Sequence, residues 1–231
     1  MKRGTLERLN ADRAEKRSVA LVTETASGAQ WLVYAEAVSP DAGLAEDVAV
    51  RARAALADDR SAILDADGKP YFIQVHNPPL RLFIVGAVHI TQALARMASI
   101  AGYAVTVIDP RRAFAEPERF PGLEVSSDWP DDVLRAAVVD RRAAIVTLSH
   151  DPKIDDPALE TVLRSEVFYI GSLGGKRTHG KRLARLHEKG FTTTETDRIH
   201  GPVGLNIGAK SPAEIAVSIM AEITQARRGA A

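Results

Sequence analysis

The chain has 231 residues, of which 45% are hydrophobic and 26% charged, so it can bury a substantial core and lacks a disordered composition. Its 30 basic residues balance its 30 acidic residues, which argues against nucleic acid or a membrane surface as a partner. The absence of cysteine excludes disulfides, thiolate metal sites and a cysteine nucleophile. No stretch approaches the roughly 18 apolar residues of a membrane span, and the start lacks an apolar signal core, so we expect a cytoplasmic protein.

Two consecutive prolines after Asn77 give the clearest boundary signal in the chain. Neither a helix nor a central strand can run through Pro78-Pro79, because proline fixes φ and lacks a backbone donor. We therefore predict two domains, residues 1–79 and residues 80–231.

The first domain is predicted to be a small α+β unit. Strands are expected at 18–23 and 30–37, a helix at 41–56, and a hairpin of 62–65 with 71–76 around Asp67-Gly68. This part of the sequence does not gather carboxylates, histidines or glycines, so we interpret it as a scaffold or an interaction sheet.

The second domain alternates strand and helix. Strands are predicted at 81–85, 105–108, 123–126, 143–148 and 167–170, and helices at 90–101, 131–137, from Asp156-Pro157 onward, at 176–189, and after a Ser211–Glu214 capping box. Short apolar strands between helices are typical of a parallel sheet covered on both faces. The predicted fold is α/β, with a Rossmann-like doubly wound parallel sheet, and a flavodoxin-like strand order is the alternative.

A doubly wound sheet binds ligands outside the carboxyl ends of its strands, so the residues that follow each strand are the candidate site. These residues are Gly86, Ala87, Val88 and His89 after the first strand, Asp109 and Arg111 after the second, Ser149, His150 and Asp151 after the fourth, and Gly171, Ser172, Gly174, Gly175, Lys176 and Arg177 after the fifth. We predict that they line one cleft and bind a cofactor.

The first of these loops is close to the dinucleotide fingerprint Gly-x-Gly-x-x-Gly but departs from it. The three glycine positions hold Gly86, Val88 and Thr91, so a branched side chain stands where a pyrophosphate would approach the backbone. Asp109 is placed like the acid that binds a ribose hydroxyl. Binding of NAD(P) by an oxidoreductase therefore stays open, as does a Rossmann-like scaffold without a nucleotide.

The loop after the fifth strand is the better candidate for an anion site. The glycines at 171, 174 and 175 free the backbone to present N–H groups, and Lys176, Arg177, Lys181 and Arg182 follow. The spacing is not that of a P-loop. The alternative is a solvated basic helix face.

Two further patterns carry histidines. Ser149-His150-Asp151 is not a catalytic triad, because three consecutive residues cannot form the relay and no Gly-x-Ser-x-Gly elbow surrounds the serine. His200 precedes a segment with three glycines and a proline, residues 201–208, which we expect to be a fixed loop that closes the site. No His-x-x-x-His spacing occurs, so we predict no metal site.

Four segments together resemble the C-terminal domain of the xanthine dehydrogenase accessory protein family (XdhC/CoxI). They are RLFIVGAVHITQALARMASIAGYAVTVIDPR, TLSHDPKIDDPALETVLRS, VFYIGSLGGKRTHGKRL and RIHGPVGLNIGAKSPAEIAVSIMAEI. The resemblance implies a protein that binds molybdenum cofactor (molybdopterin), assists its sulfuration and delivers it to a molybdenum hydroxylase such as xanthine dehydrogenase or a carbon monoxide dehydrogenase-type enzyme. It implies a maturation factor without turnover of its own.

The sequence departs from that family in two respects. Val88 replaces the usual second glycine, and residues 1–79 lack the family's Gly-Ser-Ser and Ser-Gly-Gly-Cys-x-Glu stretches. Because the chain has no cysteine, it cannot perform any role that the family gives to a thiolate. We expect a diverged or truncated member that forms a homo-oligomer and works with a cysteine desulfurase or a fuller relative. A third interpretation is a diverged module that binds a partner protein and no small ligand.

Overall fold

A computed structural model describes residues 2–40 and 43–229. The chain divides into two compact units, residues 1–78 and 79–231, which are described separately below. Within the described residues, none of the helices is both long and apolar enough to cross a membrane.

The first unit contains a five-stranded antiparallel sheet. Its strands are β1 (Val19–Glu24), β2 (Gln30–Val33), β3 (Val38–Ser39), β4 (Ala62–Ala66) and β5 (Lys69–His76), in the order β3-β2-β1-β5-β4. Helix α2 (Glu46–Asp58) covers one face through Val48 and Ala52, which join the cluster around Ile73. Helix α1 (Arg3–Ala14) contributes Leu9 to a smaller cluster on Leu21 and Leu32.

Three predictions for this unit differ from the structure. The helix expected at 41–56 begins at Glu46, after Ala45 in extended conformation, and its predicted start at Asp41 lies outside the described residues. The strand expected at 30–37 ends at Val33, and β3 follows it. Helix α1 was not predicted, because its surface is charged nearly all round and only Leu9 and Asp12 are buried.

The second unit contains a six-stranded parallel sheet. Its strands are β6 (Arg81–Val85), β7 (Ala104–Ile108), β8 (Glu124–Ser126), β9 (Ala143–Thr147), β10 (Tyr169–Ser172) and β11 (Ile199–His200). The spatial order is β8-β7-β6-β9-β10-β11, so the chain winds outward from β6 in one direction and then from β9 in the other. This is the Rossmann order, which confirms the doubly wound prediction and excludes the flavodoxin-like order.

Helices cover both faces of this sheet. They are α3 (His89–Ile100), α4 (Pro130–Ala136), α5 (Pro152–Val162), α6 (Lys176–Glu188), the short α7 (Thr193–Thr196) and α8 (Pro212–Arg228). In β6, Leu82 and Ile84 pack into the core under α3 and α8, while Phe83 and Val85 join the core formed with α5. The strand is therefore buried on both sides, which explains its unbroken apolar sequence.

Two boundaries in this unit also differ from prediction, and one strand was not predicted. Helix α5 begins at Pro152, because the Asp151 side chain accepts the N–H of Lys153 and caps the helix there, and Pro157 lies inside it. Strand β10 runs on through Ser172 instead of ending at residue 170. Strand β11 was not predicted, since two residues give no periodicity. The capping box of Ser211 and Glu214 is confirmed at the start of α8.

Candidate functional site

The loops after β6 and β9 meet backbone to backbone at the point where the strand order reverses. Gly86 has φ +104°, and a Cβ there would lie 2.6 Å from the backbone nitrogen of Ser149. Only glycine provides both this conformation and this close approach. The carboxyl ends of β6 and β9 are thus fixed against each other.

The side chain of Asp109, at the end of β7, forms its hydrogen bonds with nearby residues of the second unit. Its buried carboxylate accepts the N–H of Ala87 at 2.8 Å and is paired with the Nε and Nη2 of Arg111, each at 2.8 Å. Burial alone raises the pKa of Asp109, but the bonds from Arg111 and from the Ala87 N–H outweigh it and lower that pKa. Both oxygens of Asp109 therefore already accept hydrogen bonds from within the chain.

The two departures from the dinucleotide fingerprint, Thr91 and Val88, both contact other parts of the chain. Thr91 is buried, and its hydroxyl donates to the carbonyl of Gly86. Val88 stands at the N-cap of α3 and packs against the apolar core. Both side chains therefore make contacts within the chain beside the first loop.

Ser149, His150 and Asp151 have three separate roles. The Ser149 hydroxyl donates to Oδ1 of Asp155 at 2.7 Å and accepts the N–H of Asp151 at 3.0 Å. Asp151 caps α5, as described above. His150 has φ +63° and is exposed. The serine thus bonds to a carboxylate and not to an imidazole, in agreement with the rejection of a triad.

Sequence reasoning missed Asp155, which lies in the first turn of α5. Burial raises the pKa of this carboxyl to about 6, although the hydrogen bonds from Ser149 and the nearby Arg182 act to lower it. A correct start for α5 would have revealed it, because Asp155 follows the capping Asp151 by one turn, next to the strand end. Its carboxylate fixes the loop that carries His150.

The predicted glycine-rich loop after β10 is shorter than the sequence suggested. Gly171 and Ser172 belong to the strand, are buried, and pair with Val146 and Thr147 of β9. The Ser172 hydroxyl bonds to that of Thr147. Their backbone donors thus lie in the sheet, so neither residue presents an N–H group to an anion.

The turn that remains leads into the N-terminus of α6. Gly174 has φ +134° and lies against Thr178, and Gly175 is the N-cap, with no side-chain hydrogen bond. Lys176 and Arg177 are exposed in the first helical turn, where backbone N–H groups have no acceptor within the helix. This helix end is suited to receiving an anion.

Arg182, counted among the cations of the predicted anion site, is not exposed to solvent. Its side chain is 2% exposed, and its Nη2 donates to the carbonyl of Leu173 at 2.8 Å. It therefore supports the turn before α6 from behind, while Lys176, Arg177 and Lys181 remain in solvent.

A cavity of about 620 Å³ opens beside this turn. Its walls are the turn before α6, the segment 202–209 and the start of α8. The lining residues are His150, Leu173, Gly174, Gly175, Lys176, Pro202, Val203, Gly204, Leu205, Asn206, Ile207, Gly208, Ala209, Ile215 and Ser218. The cavity is mostly apolar, with its cation and its helix N-terminus on one side.

Four of the predicted site residues line this cavity: His150, Gly174, Gly175 and Lys176. Gly86, Ala87, Val88, Asp109 and Arg111 are grouped instead around the junction of the loops after β6 and β7. His89 lines a separate groove of about 470 Å³ with Arg96 and Pro212. The expected loop at 201–208 does form a cavity wall. Across the described part of the chain, no group of three or more His, Asp or Glu could hold a metal ion.

The strand order and the cavity beside α6 define a Rossmann domain with a candidate ligand site. A model of the XdhC Rossmann domain matches residues 82–223, and the chain belongs to this family.

Among the curated proteins and solved structures that are similar to this chain are two relatives and one crystal structure. It is 32% identical over 150 residues, or 65% of its length, to the molybdenum cofactor insertion chaperone PaoD of Escherichia coli, covering 41% of that protein. It is 32% identical over 158 residues, or 68% of its length, to a probable xanthine dehydrogenase component of Bacillus subtilis, covering 46% of it. A crystal structure described as a xanthine dehydrogenase from Bacillus halodurans matches 98% of this chain and 67% of that one, with a TM-score of 0.76 and 26% identity.

The chain spans less than half the length of the curated relatives it matches.

Proposed function

We propose that this protein binds the molybdenum cofactor and delivers it to a molybdoenzyme of the xanthine dehydrogenase type. Membership of the XdhC family and similarity to a molybdenum cofactor insertion chaperone support the proposal. The observation that carries it is the cavity whose wall includes the N-terminus of α6. The cofactor is cargo in this account, because it is received and passed on.

The phosphate of the cofactor would lie at the start of α6. The free N–H groups of the first turn and the positive end of the helix dipole favour an anion there, and Lys176 adds a full charge. Gly175 suits this position, since a Cβ built on it meets no atom within 4 Å and leaves the approach open.

The rest of the cavity would hold the pterin. Ligand pockets are typically about 300–1,000 Å³, mostly apolar, with a few polar groups that fix orientation. Leu173, Val203 and Ile215 provide apolar surface, and His150 and Asn206 provide hydrogen-bonding groups. A planar heterocycle with a polar edge matches this lining.

The lining also favours holding the cargo over transforming it. His150 and Lys176 are its titratable side chains, and the nearby Ser149 hydroxyl is engaged by Asp155. The sequence has no cysteine, so sulfur would be supplied by a partner such as a cysteine desulfurase or a fuller family relative. A molybdenum hydroxylase is the proposed client. Cytoplasmic location and homo-oligomer formation stay predictions.

The NAD(P) alternative loses support, because Asp109 and Thr91 use their polar groups within the chain. An anaerobic titration with molybdenum cofactor, followed by pterin fluorescence, separates the two functions. We expect saturable binding of the cofactor, none of NAD, and faster activation of an apo xanthine dehydrogenase-type enzyme than free cofactor achieves. Failure to bind the cofactor would contradict the proposal.

A further inference from the structure

The carboxylate of Glu222 on α8 receives donors from three separate parts of the second unit. Its Oε2 accepts the hydroxyl of Tyr169 on β10 and the backbone N–H of Gly204, the latter at 2.8 Å. Its Oε1 lies 3.3 Å from Nδ1 of His200 on β11. The side chain of Glu222 is 13% exposed, so these contacts are made largely away from water.

The surroundings of Glu222 keep its carboxyl group ionised, so that it accepts hydrogen bonds. Burial alone raises its pKa, but the bonds from His200, Tyr169 and the Gly204 N–H outweigh burial and lower that pKa. Burial and the neighbouring carboxylate raise the pKa of Tyr169 far above its usual value, so its hydroxyl stays a donor. The Tyr169 and His200 rings lie 4.7 Å apart between centroids, which fixes both donors around the carboxylate.

Gly204 belongs to the wall of the cavity. On either side of it, the Val203 N–H donates to the Ser172 carbonyl and the Leu205 N–H to the Ser218 carbonyl, each at 3.2 Å. The bond from Gly204 to Glu222 is the shortest of the three and ends on a charged group, which makes it the strongest type. Gly204 has φ +95°, and a Cβ there would collide with Ser218, so this part of the wall fits α8 closely.

We propose that Glu222 is a positioning residue that holds segment 203–205 in the shape that binds cargo. It acts through the position of Gly204 and does not touch the ligand. The identity of the ligand rests on the proposed function, whereas the positioning of segment 203–205 by Glu222 does not depend on it.

Two conservative variants separate the length of this side chain from its charge. Glu222→Gln keeps the length and an acceptor oxygen for Gly204, whereas Glu222→Asp keeps the charge but is one methylene too short to reach both Gly204 and Tyr169. Thr224→Ala, at an exposed site on the same helix, is the matched control. Because hydrogen bonds to charged groups are worth a factor of about ten or more, amide exchange at 203–205 should accelerate about tenfold in the Asp variant.

Cargo binding should follow the same pattern. We expect the Asp variant to bind molybdenum cofactor about tenfold more weakly, the Gln variant, which keeps a weaker neutral bond to Gly204, to lose less than the Asp variant, and the Thr224 control to bind like the unaltered protein. Unchanged exchange at 203–205 in the Asp variant, or an equal loss of binding in the Thr224 control, would overturn the role of Glu222. Exchange is measured without ligand, so it decides this role even if the unaltered protein binds no cofactor and the proposed function fails.

Discussion

The Ser149 hydroxyl donates to Oδ1 of Asp155 at 2.7 Å, and the Ser149 backbone N–H reaches the same oxygen at 3.3 Å. A buried carboxylate on α5 thereby holds the loop that follows β9, and this loop places His150 at the cavity. These two hydrogen bonds fix the backbone at the point where the chain leaves the sheet in an irregular conformation.

Burial of Asp155 predicts a specific dependence of stability on pH. Its folded pKa, raised from 3.8 to about 6, means that the folded state binds this proton more tightly than the unfolded state does. The carboxyl therefore costs stability progressively as pH rises from about 4 to 6. Asp155→Asn lacks this titration and keeps an acceptor for Ser149. At ~1.4 kcal/mol per pH unit, the stability of the unaltered protein relative to this variant should fall by about 2.4 kcal/mol between pH 4 and 7.

Urea unfolding of both proteins across this range measures the difference directly, because groups that the two proteins share cancel. A difference that stays constant with pH would show that Asp155 titrates at its ordinary value.

The contact of Gly86 with Ser149 predicts a large cost for a single methyl group. In Gly86→Ala the Cβ would meet the backbone of the β9 loop, and alanine disfavours φ +104°. We expect a loss of at least about 2 kcal/mol in the free energy of unfolding. Gly180→Ala is the control, since it lies in α6 with open space around it and should gain about 0.5–1 kcal/mol. Equal effects of the two changes would contradict the backbone contact.

Val88→Gly tests whether the first loop faces a ligand. The structure packs Val88 against the core and outside the cavity lining, so its loss should lower stability by about 1–2 kcal/mol. Affinity for molybdenum cofactor and for NAD should not change. Tighter binding of either ligand by the variant would show that the valine blocks a functional site in the first loop.

Lys176→Ala tests the anion site at the start of α6. A charge-assisted hydrogen bond to phosphate is worth a factor of about ten or more in affinity, and an exposed charge is screened as salt rises. The loss should therefore shrink between low and moderate ionic strength. Lys181→Ala removes an equal charge from the same helix away from the cavity and should have little effect. Equal losses in the two variants would indicate a general charge effect.

Patterns within single elements predicted much of this fold. The apolar run of β6 and the capping box at Ser211 each reflect contacts that a short stretch of sequence determines. The boundary of β10 was wrong because Gly171 and Ser172 resemble a loop in sequence, whereas pairing with β9 makes them a strand. Tertiary pairing outweighs local propensity there.

The residues of the candidate site were harder to predict from local sequence patterns than the fold was. The glycines and the lysine after β10 line one wall of the cavity, and the segment 202–208 lines another, but their binding role stays a prediction. Arg182 was one cation in a basic run, and Glu222 was not singled out by any sequence pattern. Their roles come from partners 9 and 18 residues away, Leu173 and Gly204, which no local spacing reveals.

Blocking the start of α6 tests most directly whether the cavity holds molybdenum cofactor. Gly175 lines the cavity and Gly180 does not, yet a Cβ at either position meets open space, so Gly175→Leu and Gly180→Leu form a matched pair on one helix. In an anaerobic titration with the cofactor, the Gly180 variant should bind like the unaltered protein, and the Gly175 variant at least about tenfold more weakly. Undiminished binding by the Gly175 variant would contradict the account.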